Sequence, residues 1–214
     1  IKYWVLDEAD EMLNMGFYED IKDILTHTPK SKNSWLFSAT MPPEVNTIAK
    51  KFMKKPIEIT VGTKNSSAKN IDHQYFIVAA RERYNALRAV VSMNTDLFGV
   101  VFCRTKIETQ KVAEKLIQDG YKAAAIHGDL SQNQRDIVMQ SFRKKRIQLL
   151  IATDVAARGI DVDDLTHVIN YQLPDEIETY THRSGRTGRA GKLGTSIIFV
   201  TKSDRRKIKL IENK

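Results

Sequence analysis

Between residues 97 and 200 the sequence repeats one pattern, and that pattern restricts the fold more than any other feature. Short apolar runs alternate with longer amphipathic stretches. Residues 97–102, 123–126, 147–152, 168–170 and 195–200 read as strands. The run 147–152 is too apolar to lie at the edge of a sheet. The stretches 81–93, 107–118, 176–183 and 203–211 read as helices, as does the stretch from Ser131 through Phe142. Ser131 and Gln134 are spaced as a capping box, and Gly120 is placed to close the helix before it. With a further strand at 74–78, this order predicts an α/β fold: a mostly parallel sheet covered by helices on both faces. Ligands of such sheets bind beyond the carboxyl ends of the strands.

The first section has the same grammar in a thinner form. Residues 3–6 read as a strand ending at Asp7, Glu8, Ala9 and Asp10, and 17–25 as a helix. A second strand, 35–38, runs into Ser38-Ala39-Thr40. Pro42 and Pro43 open a helix whose apolar face is Val45, Ile48, Ala49 and Phe52. Residues 57–61 read as a third strand. Residues 62–70, GTKNSSAKN, are polar and unperiodic and read as a linker.

Charge and composition narrow the function classes. Lys and Arg number 34 against 26 Asp and Glu, a net charge of +8. The excess favours a polyanionic partner, yet the acids are too numerous for a simple basic tail. The lone Cys103 sits in an apolar run, where it packs as a small hydrophobe and forms no internal disulfide. The five histidines show no metal-ligand spacing. No run is long enough to span a membrane and no signal peptide is visible, so a cytoplasmic setting is expected.

Four polar constellations fall at the expected strand ends or near them. Asp7 and Glu8 follow an apolar strand, as do the carboxylates by which nucleoside-triphosphatases hold Mg²⁺ and orient the attacking water. Two acids there could equally cap a helix. Ser38 and Thr40 could bond neighbouring carboxylates or simply cap the next helix. In the segment ATDVAARGID, Thr153 could donate to a nucleic-acid phosphate, Arg158 could supply charge and Asp161 could accept from a ribose hydroxyl; the alternative is a polar loop turned by Gly159, and the density of small and polar residues right after a core strand weighs against it. Finally, residues 180–191, YTHRSGRTGRAG, carry His182, Arg183, Arg186 and Arg189 among glycines. Arg186 and Arg189, three apart, can project from one face and neutralise charge on a γ-phosphate, or pair with nearby acids. No Gly-rich loop ending in Gly-Lys-Ser/Thr occurs in the chain.

Taken together, the words VLDEAD (5–10), SAT (38–40), VVFCRTK (100–106), HGD (127–129) with QNQR (132–135), LIATDVAARGID (150–161) and HRSGRTGR (182–189) resemble, in order, the central and C-terminal part of a DEAD-box ATP-dependent RNA helicase. The resemblance covers nearly the whole chain. It implies a RecA-like parallel sheet with helices on both faces, the helicase core of the P-loop NTPase superfamily. It divides the chain into an incomplete first lobe (1–63), a linker (64–71) and a second lobe (72–214). It implies ATP and Mg²⁺ as cofactors and single-stranded or duplex RNA as partner, gripped mainly by its backbone. Asp7 would serve Mg²⁺ through water with Glu8 beside it, and Glu8 the hydrolytic water. Asp10, Ser38, Thr40 and His182 would couple hydrolysis to duplex separation. Asp161 would meet the ribose of ATP, and Arg186 and Arg189 would act as arginine fingers. Arg104, Gly128, Gln132, Arg135, Thr153 and Arg158 would line the RNA path or the lobe interface.

Three departures from the family pattern matter. The adenine-recognition segment and phosphate loop of the first lobe are not in this sequence, Ser184 stands where a branched apolar residue is commoner, and the sequence stops at Lys214, just after the last helix. The chain also opens at Ile1 on a core strand. It is therefore expected to belong to a longer or split protein, with an N-terminal segment as an additional partner. By themselves the 214 residues are expected to show no ATPase. The alternative is a non-catalytic RNA-binding or partner-docking module built on the second lobe.

Overall fold

The alternating run folds as expected into a parallel sheet. The computed structural model describes residues 1–60, 70–157, 162, 164–189 and 191–212. The chain divides into two units, Ile1–Ser66 and Ser67–Lys214. In the first lie β1 (Tyr3–Leu6), α1 (Ala9–Asn14), α2 (Tyr18–Thr26), β2 (Asn33–Leu36) and α3 (Pro43–Phe52). In the second lie β3 (Ile71–Ile77), α4 (Arg83–Met93), β4 (Gly99–Phe102), α5 (Lys106–Gln118), β5 (Ala123–Ile126) and α6 (Gln132–Arg143). They are followed by β6 (Leu149–Ala152), α7 (Asp154–Ala157), β7 (His167–Asn170), α8 (Ile177–Ser184), β8 (Gly194–Val200) and α9 (Arg205–Glu212).

Among the described residues the sheet of the second unit has six strands in the order β3-β8-β7-β4-β6-β5, every neighbouring pair parallel. β6 is interior, which is why all four of its residues are apolar and buried. Its side chains alternate between two cores. Leu149 and Ile151 pack with Leu87 and Val91 of α4 and with Val112 and Leu116 of α5. Leu150 and Ala152 pack on the other face with Met139 and Phe142 of α6 and with Ala156 and Ala157 of α7. On that second face α8 and α9 cover β8, where Tyr180 and Ile208 meet Ile198 and Val200. The Ser131–Gln134 capping box is present at α6, and Gly120, at φ +87°, follows α5 in the left-handed region.

The first unit pairs β1 with β2 in parallel, Leu6 opposite Leu36. Beneath them Ile21 and Leu25 of α2 and Val45 and Ile48 of α3 form a small core with Leu6 and Ala9.

The structure corrects several expectations. The strand expected at 57–61 does not form over its described part, and Ile57 and Ile59 are 88% and 82% exposed. Apolar β-branched residues favour a strand, but a strand needs a neighbour for its N–H and C=O groups, and no described strand pairs with this one. Two short helices, α1 and α7, are absent from the sequence pattern because neither is long enough to show a period. Of the expected linker, Asn70 and Ile71 are described, and Ile71 already opens β3.

Candidate functional site

In the first unit the acidic word breaks across the end of β1. Asp7 is exposed and its Oδ1 accepts from the N–H of Glu8 at 2.9 Å. Glu8 occupies the N-cap position of α1 in the left-handed region, φ 49° and ψ 46°, and its side chain makes no cap bond. The capping alternative for this acid therefore falls. A non-glycine residue held there costs about 1–2 kcal/mol, a strain that clusters at functional positions.

Asp10 is buried, and its charge is satisfied by a clasp on the second strand end. Its Oδ2 accepts from Thr40 N at 2.8 Å and Thr40 Oγ1 at 2.6 Å, and its Oδ1 from Glu11 N at 3.1 Å. Ser38 Oγ accepts from Asp10 N at 3.2 Å and donates to Thr40 O at 2.6 Å. The next helix, α3, begins at the N-cap Pro42 without a side-chain cap, so Ser38 and Thr40 are not spent on capping. The backbone joins the same two strand ends, Ala9 N to Phe37 O at 3.0 Å and Phe37 N to Leu6 O at 2.8 Å. Asp10, Ser38 and Thr40 thus form one cluster, with Asp7 and Glu8 next to it along the chain.

In the second unit the candidates gather at the carboxyl edge of the sheet. Arg104 follows β4, Gly128 follows β5 and Thr153 follows β6. Arg104 Nη2 donates to Leu173 O at 3.0 Å and lies 3.2 Å from Asp175 Oδ1. Lys106 Nζ bonds Asp129 Oδ1 at 2.8 Å, joining the loops after β4 and β5 and holding the Asp129 carboxyl below its ordinary range. Thr105 caps α5, accepting from Glu108 N. Gly128 faces open space. Gln132 and Arg135 sit in the first turn of α6, with Gln132 Nε2 bonded to Asp136 at 2.8 Å. Beneath this edge Cys103 is buried, which raises its thiol far above the ordinary value and fits the reading of it as a small hydrophobe. Arg158 and Asp161 lie outside the described residues.

In the cationic run 182–189 the helix ends within one residue of its expected end, but the two arginines do not share a helix face. α8 ends at Ser184, so Arg186 and Arg189 project from the turns that follow, not from one helix face. Arg189 Nε donates to Gly185 O at 3.0 Å, and Gly188 turns at φ +67°. A Cβ on Gly188 would meet Ile71 at 2.7 Å, and one on Gly194 would collide with Thr187 Oγ1. The chain behind the arginines is thereby packed against the first residues of β3 and β8. His182 lies half-buried in the last turn of α8.

The residue that sequence reasoning leaves without a role is Arg183. Its Nε and Nη2 bond Asp154 at 2.6 and 2.8 Å, and its Nη1 bonds Asn170 Oδ1 at 2.9 Å. Its guanidinium also lies over the Phe102 ring, 5.0 Å from the centroid. This pair ties α7 to α8. Both residues stand inside words that the sequence reading marks, but nothing local pairs them across 29 residues. Behind α8, Ser184 bonds Ser196 at 2.8 Å and Tyr180 bonds His73 Nδ1 at 2.6 Å.

A parallel sheet with helices on both faces and polar loops at its carboxyl edge is the RecA-like arrangement of the P-loop NTPase and helicase core. The profile described as "Helicase conserved C-terminal domain" matches residues 82–191, and "DEAD/DEAH box helicase" matches residues 1–48. The chain belongs to the DEAD-box RNA helicase family. It is 47% identical over 197 residues to the DEAD-box ATP-dependent RNA helicase CshA of Geobacillus kaustophilus, covering 92% of this chain and 42% of that protein. To CshA of Bacillus subtilis it is 43% identical over 208 residues, covering 97% of this chain and 42% of that one. Among solved structures, S. cerevisiae Dbp5 bound to RNA and ADP BeF3 matches the whole chain with TM-score 0.90 and 32% identity, over 57% of Dbp5. A DEAD box protein of Methanococcus jannaschii matches with TM-score 0.65 and 49% identity, again over 57% of that chain. The chain therefore spans less than half the length of these curated relatives. Among the described residues no helix is long and apolar enough to cross a membrane.

Proposed function

We propose that this chain is part of an ATP-dependent RNA helicase in which RNA-stimulated ATP hydrolysis drives local duplex separation. The Asp10–Ser38–Thr40 clasp carries the reading. It ties the acidic word beside Asp7 and Glu8 to the hydroxyl segment 30 residues on, so a change at one is felt by the other. The relatives' names, and the RNA and nucleotide bound to Dbp5, support it.

The residues fit Mg²⁺–ATP in one way only. Among the described residues no three His, Cys, Asp or Glu side chains are grouped to hold a metal. Mg²⁺ asks for less, because it keeps several waters and takes one or two carboxylates with phosphate oxygens. Asp7 would hold it through water, with Glu8 beside it. When bound, Mg²⁺–ATP supplies the phosphoryl group to be transferred. Glu8, held in place by its left-handed backbone, orients and deprotonates the attacking water. Arg186 and Arg189 neutralise charge on the γ-phosphate, and Asp161 takes the ribose. Asp10, Ser38, Thr40 and His182 couple turnover to RNA. Arg104, Gly128, Gln132, Arg135, Thr153 and Arg158 grip the RNA backbone and its 2′-hydroxyls, so recognition is nearly sequence-independent and salt-sensitive. A cytoplasmic setting goes with this reading.

The test is RNA-stimulated ATPase and strand separation by the full parent protein. Glu8→Gln should abolish turnover while ATP-dependent RNA binding persists; a parent ATPase indifferent to RNA would overturn the proposal. The 214-residue chain alone should turn over no ATP. The second reading, a non-catalytic RNA-binding module, rests on the six-stranded sheet and buried cores of the second unit. It would be favoured if the parent binds RNA but never hydrolyses ATP.

A further inference from the structure

The last helix carries more positive charge than its packing uses. From residue 202 to 212 the chain has Lys202, Arg205, Arg206, Lys207 and Lys209 against Asp204 and Glu212. All five cations are exposed. Asp204 is already engaged, because its carboxylate accepts from Thr201 N and Thr201 Oγ1, both at 2.7 Å. Among the described residues Lys202, Arg205, Arg206 and Lys209 make no ion pair or side-chain hydrogen bond.

The arrangement follows from helix geometry. Ile208 and Ile211 face the core formed with Leu173, Tyr180, Ile198 and Val200. At about 100° per residue, Lys207 and Lys209 then flank the helix and Arg206 points away from the sheet. The outer surface of α9 is thus a cationic band. Its neighbour is a candidate RNA residue. Lys207 Nζ donates to Asp175 O at 3.2 Å, and Arg104 contacts Asp175 Oδ1 at 3.2 Å and Leu173 O at 3.0 Å. The segment 173–175 therefore joins Arg104 to α9.

We infer that α9 extends the RNA track: nucleic acid leaving Arg104 continues over Arg205, Arg206 and Lys209 as a purely electrostatic contact. This rests on the RNA-helicase reading and adds to it a surface outside the shared sequence words. The outer face of α9 bears cations and Leu210 but no aromatic ring, so bases are not stacked and identity is not read. RNA and single-stranded DNA should use this surface alike. An acidic protein segment is the competing occupant, disfavoured because Lys207, next to Arg206 on the helix, reaches the same Asp175 that Arg104 contacts.

The experiment uses the full parent protein and labelled oligouridylates of about 8 and about 25 nucleotides, one spanning a single site and the other overrunning it. Affinities are read by fluorescence anisotropy across a KCl series. In the triple variant Arg205→Gln, Arg206→Gln, Lys209→Gln, the slope of log affinity against log salt for the long strand should fall by about 2, near 0.7 for each lost phosphate contact. Short-strand affinity and the ATPase that the short strand stimulates should stay unchanged. The charge-conserving variant Arg205→Lys, Arg206→Lys, Lys209→Arg should restore the slope and so exclude a folding defect. An unchanged long-strand slope, or equal losses for both strands, overturns the inference while leaving the helicase reading intact. So does a glutamate-rich peptide that competes on wild type alone when the RNA slopes are unchanged. Wild-type protein that binds neither strand overturns both.

Discussion

Removing Asp154 should cost more than removing Arg183, although they are two ends of one ion pair. The Arg183 side chain is 5% exposed and that of Asp154 37%. In Asp154→Ala the guanidinium keeps Asn170 and the Phe102 ring but loses both charged bonds, in a site that water barely enters. Breaking a buried pair costs about 3–5 kcal/mol. The partial exposure of Asp154 admits some water, which puts the expected loss at about 3 kcal/mol. For a unit of this size that lowers the melting temperature by roughly 6–12 °C. In Arg183→Met no buried charge is stranded. Asp154 rehydrates from its open side, methionine fills the space, and the loss is the charge-assisted bond to the buried Asn170 Oδ1, about 2 kcal/mol. The double variant should resemble Arg183→Met, so a double-mutant cycle should show a coupling equal to the Asp154→Ala loss, about 3 kcal/mol. Urea unfolding of each variant, with amide exchange across α8 as the local probe, measures all four corners. Equal single losses, or a loss under about 1 kcal/mol for Asp154→Ala, would refute the account.

Three further outcomes are expected. Thr40→Val removes the hydroxyl bond to the buried Asp10 carboxylate, and should destabilise the first unit by about 1.5–2 kcal/mol in urea unfolding; no measurable change would mean the clasp is not formed in solution. Gly194→Ala drives a methyl into Thr187 and the Gly188 backbone, so it should lower parent ATPase at least about tenfold through the arginines of that turn. Gly191→Ala meets nothing within 4 Å, so it should cost only its left-handed backbone, about 1 kcal/mol. Burial lowers His73, against a smaller opposing pull from Asp72, and burial lowers His167, each from the ordinary 6.5. Below that value the unfolded chain takes up protons that the folded one resists. Stability contributed by these neutral imidazoles is therefore full above about pH 6.5 and is lost as pH falls toward the folded values. Unit stability followed from pH 8 to pH 5 should drop, and the drop should shrink in His73→Asn, His167→Asn; an unchanged profile would be contrary.

What the sequence shows well is what one strand or helix shows by itself. The interior position of β6 follows from four consecutive apolar residues, and the α6 cap from Ser131 and Gln134. The carboxyl-edge placement of Arg104, Gly128 and Thr153 follows once the sheet is parallel. What it shows poorly depends on a partner far along the chain. Residues 57–60 have the composition of a strand and no described neighbour to pair with. Asp154 and Arg183 look like two unrelated polar residues until the sheet sets α7 beside α8. Ser38 and Thr40 read as well for a helix cap as for a clasp, and the choice turned on Asp10, buried 30 residues from Thr40.

The run HRSGRTGR shows how such choices are made in one stretch. Read as charge alone, it excludes burial, because an unpaired cation in the interior is expensive. The structure buries part of it anyway, by sorting the residues. Arg183 turns inward because Asp154 and Asn170 supply three acceptor bonds and Phe102 a π face. Ser184 turns inward where a branched apolar residue is commoner in the family, and it is satisfied by Ser196 across the α8–β8 contact. Thr187 turns inward onto the Leu165 carbonyl. The inward residues fix the backbone at three points, and the glycines let it turn sharply between them. Arg186 and Arg189 are then held by what lies behind them. A guanidinium presented on an anchored turn loses little freedom when it meets a phosphate, whereas one on a solvated helix face must first be ordered. On the proposed function, the inward serine, threonine and arginine are what would let Arg186 and Arg189 meet a phosphate as a rigid fork.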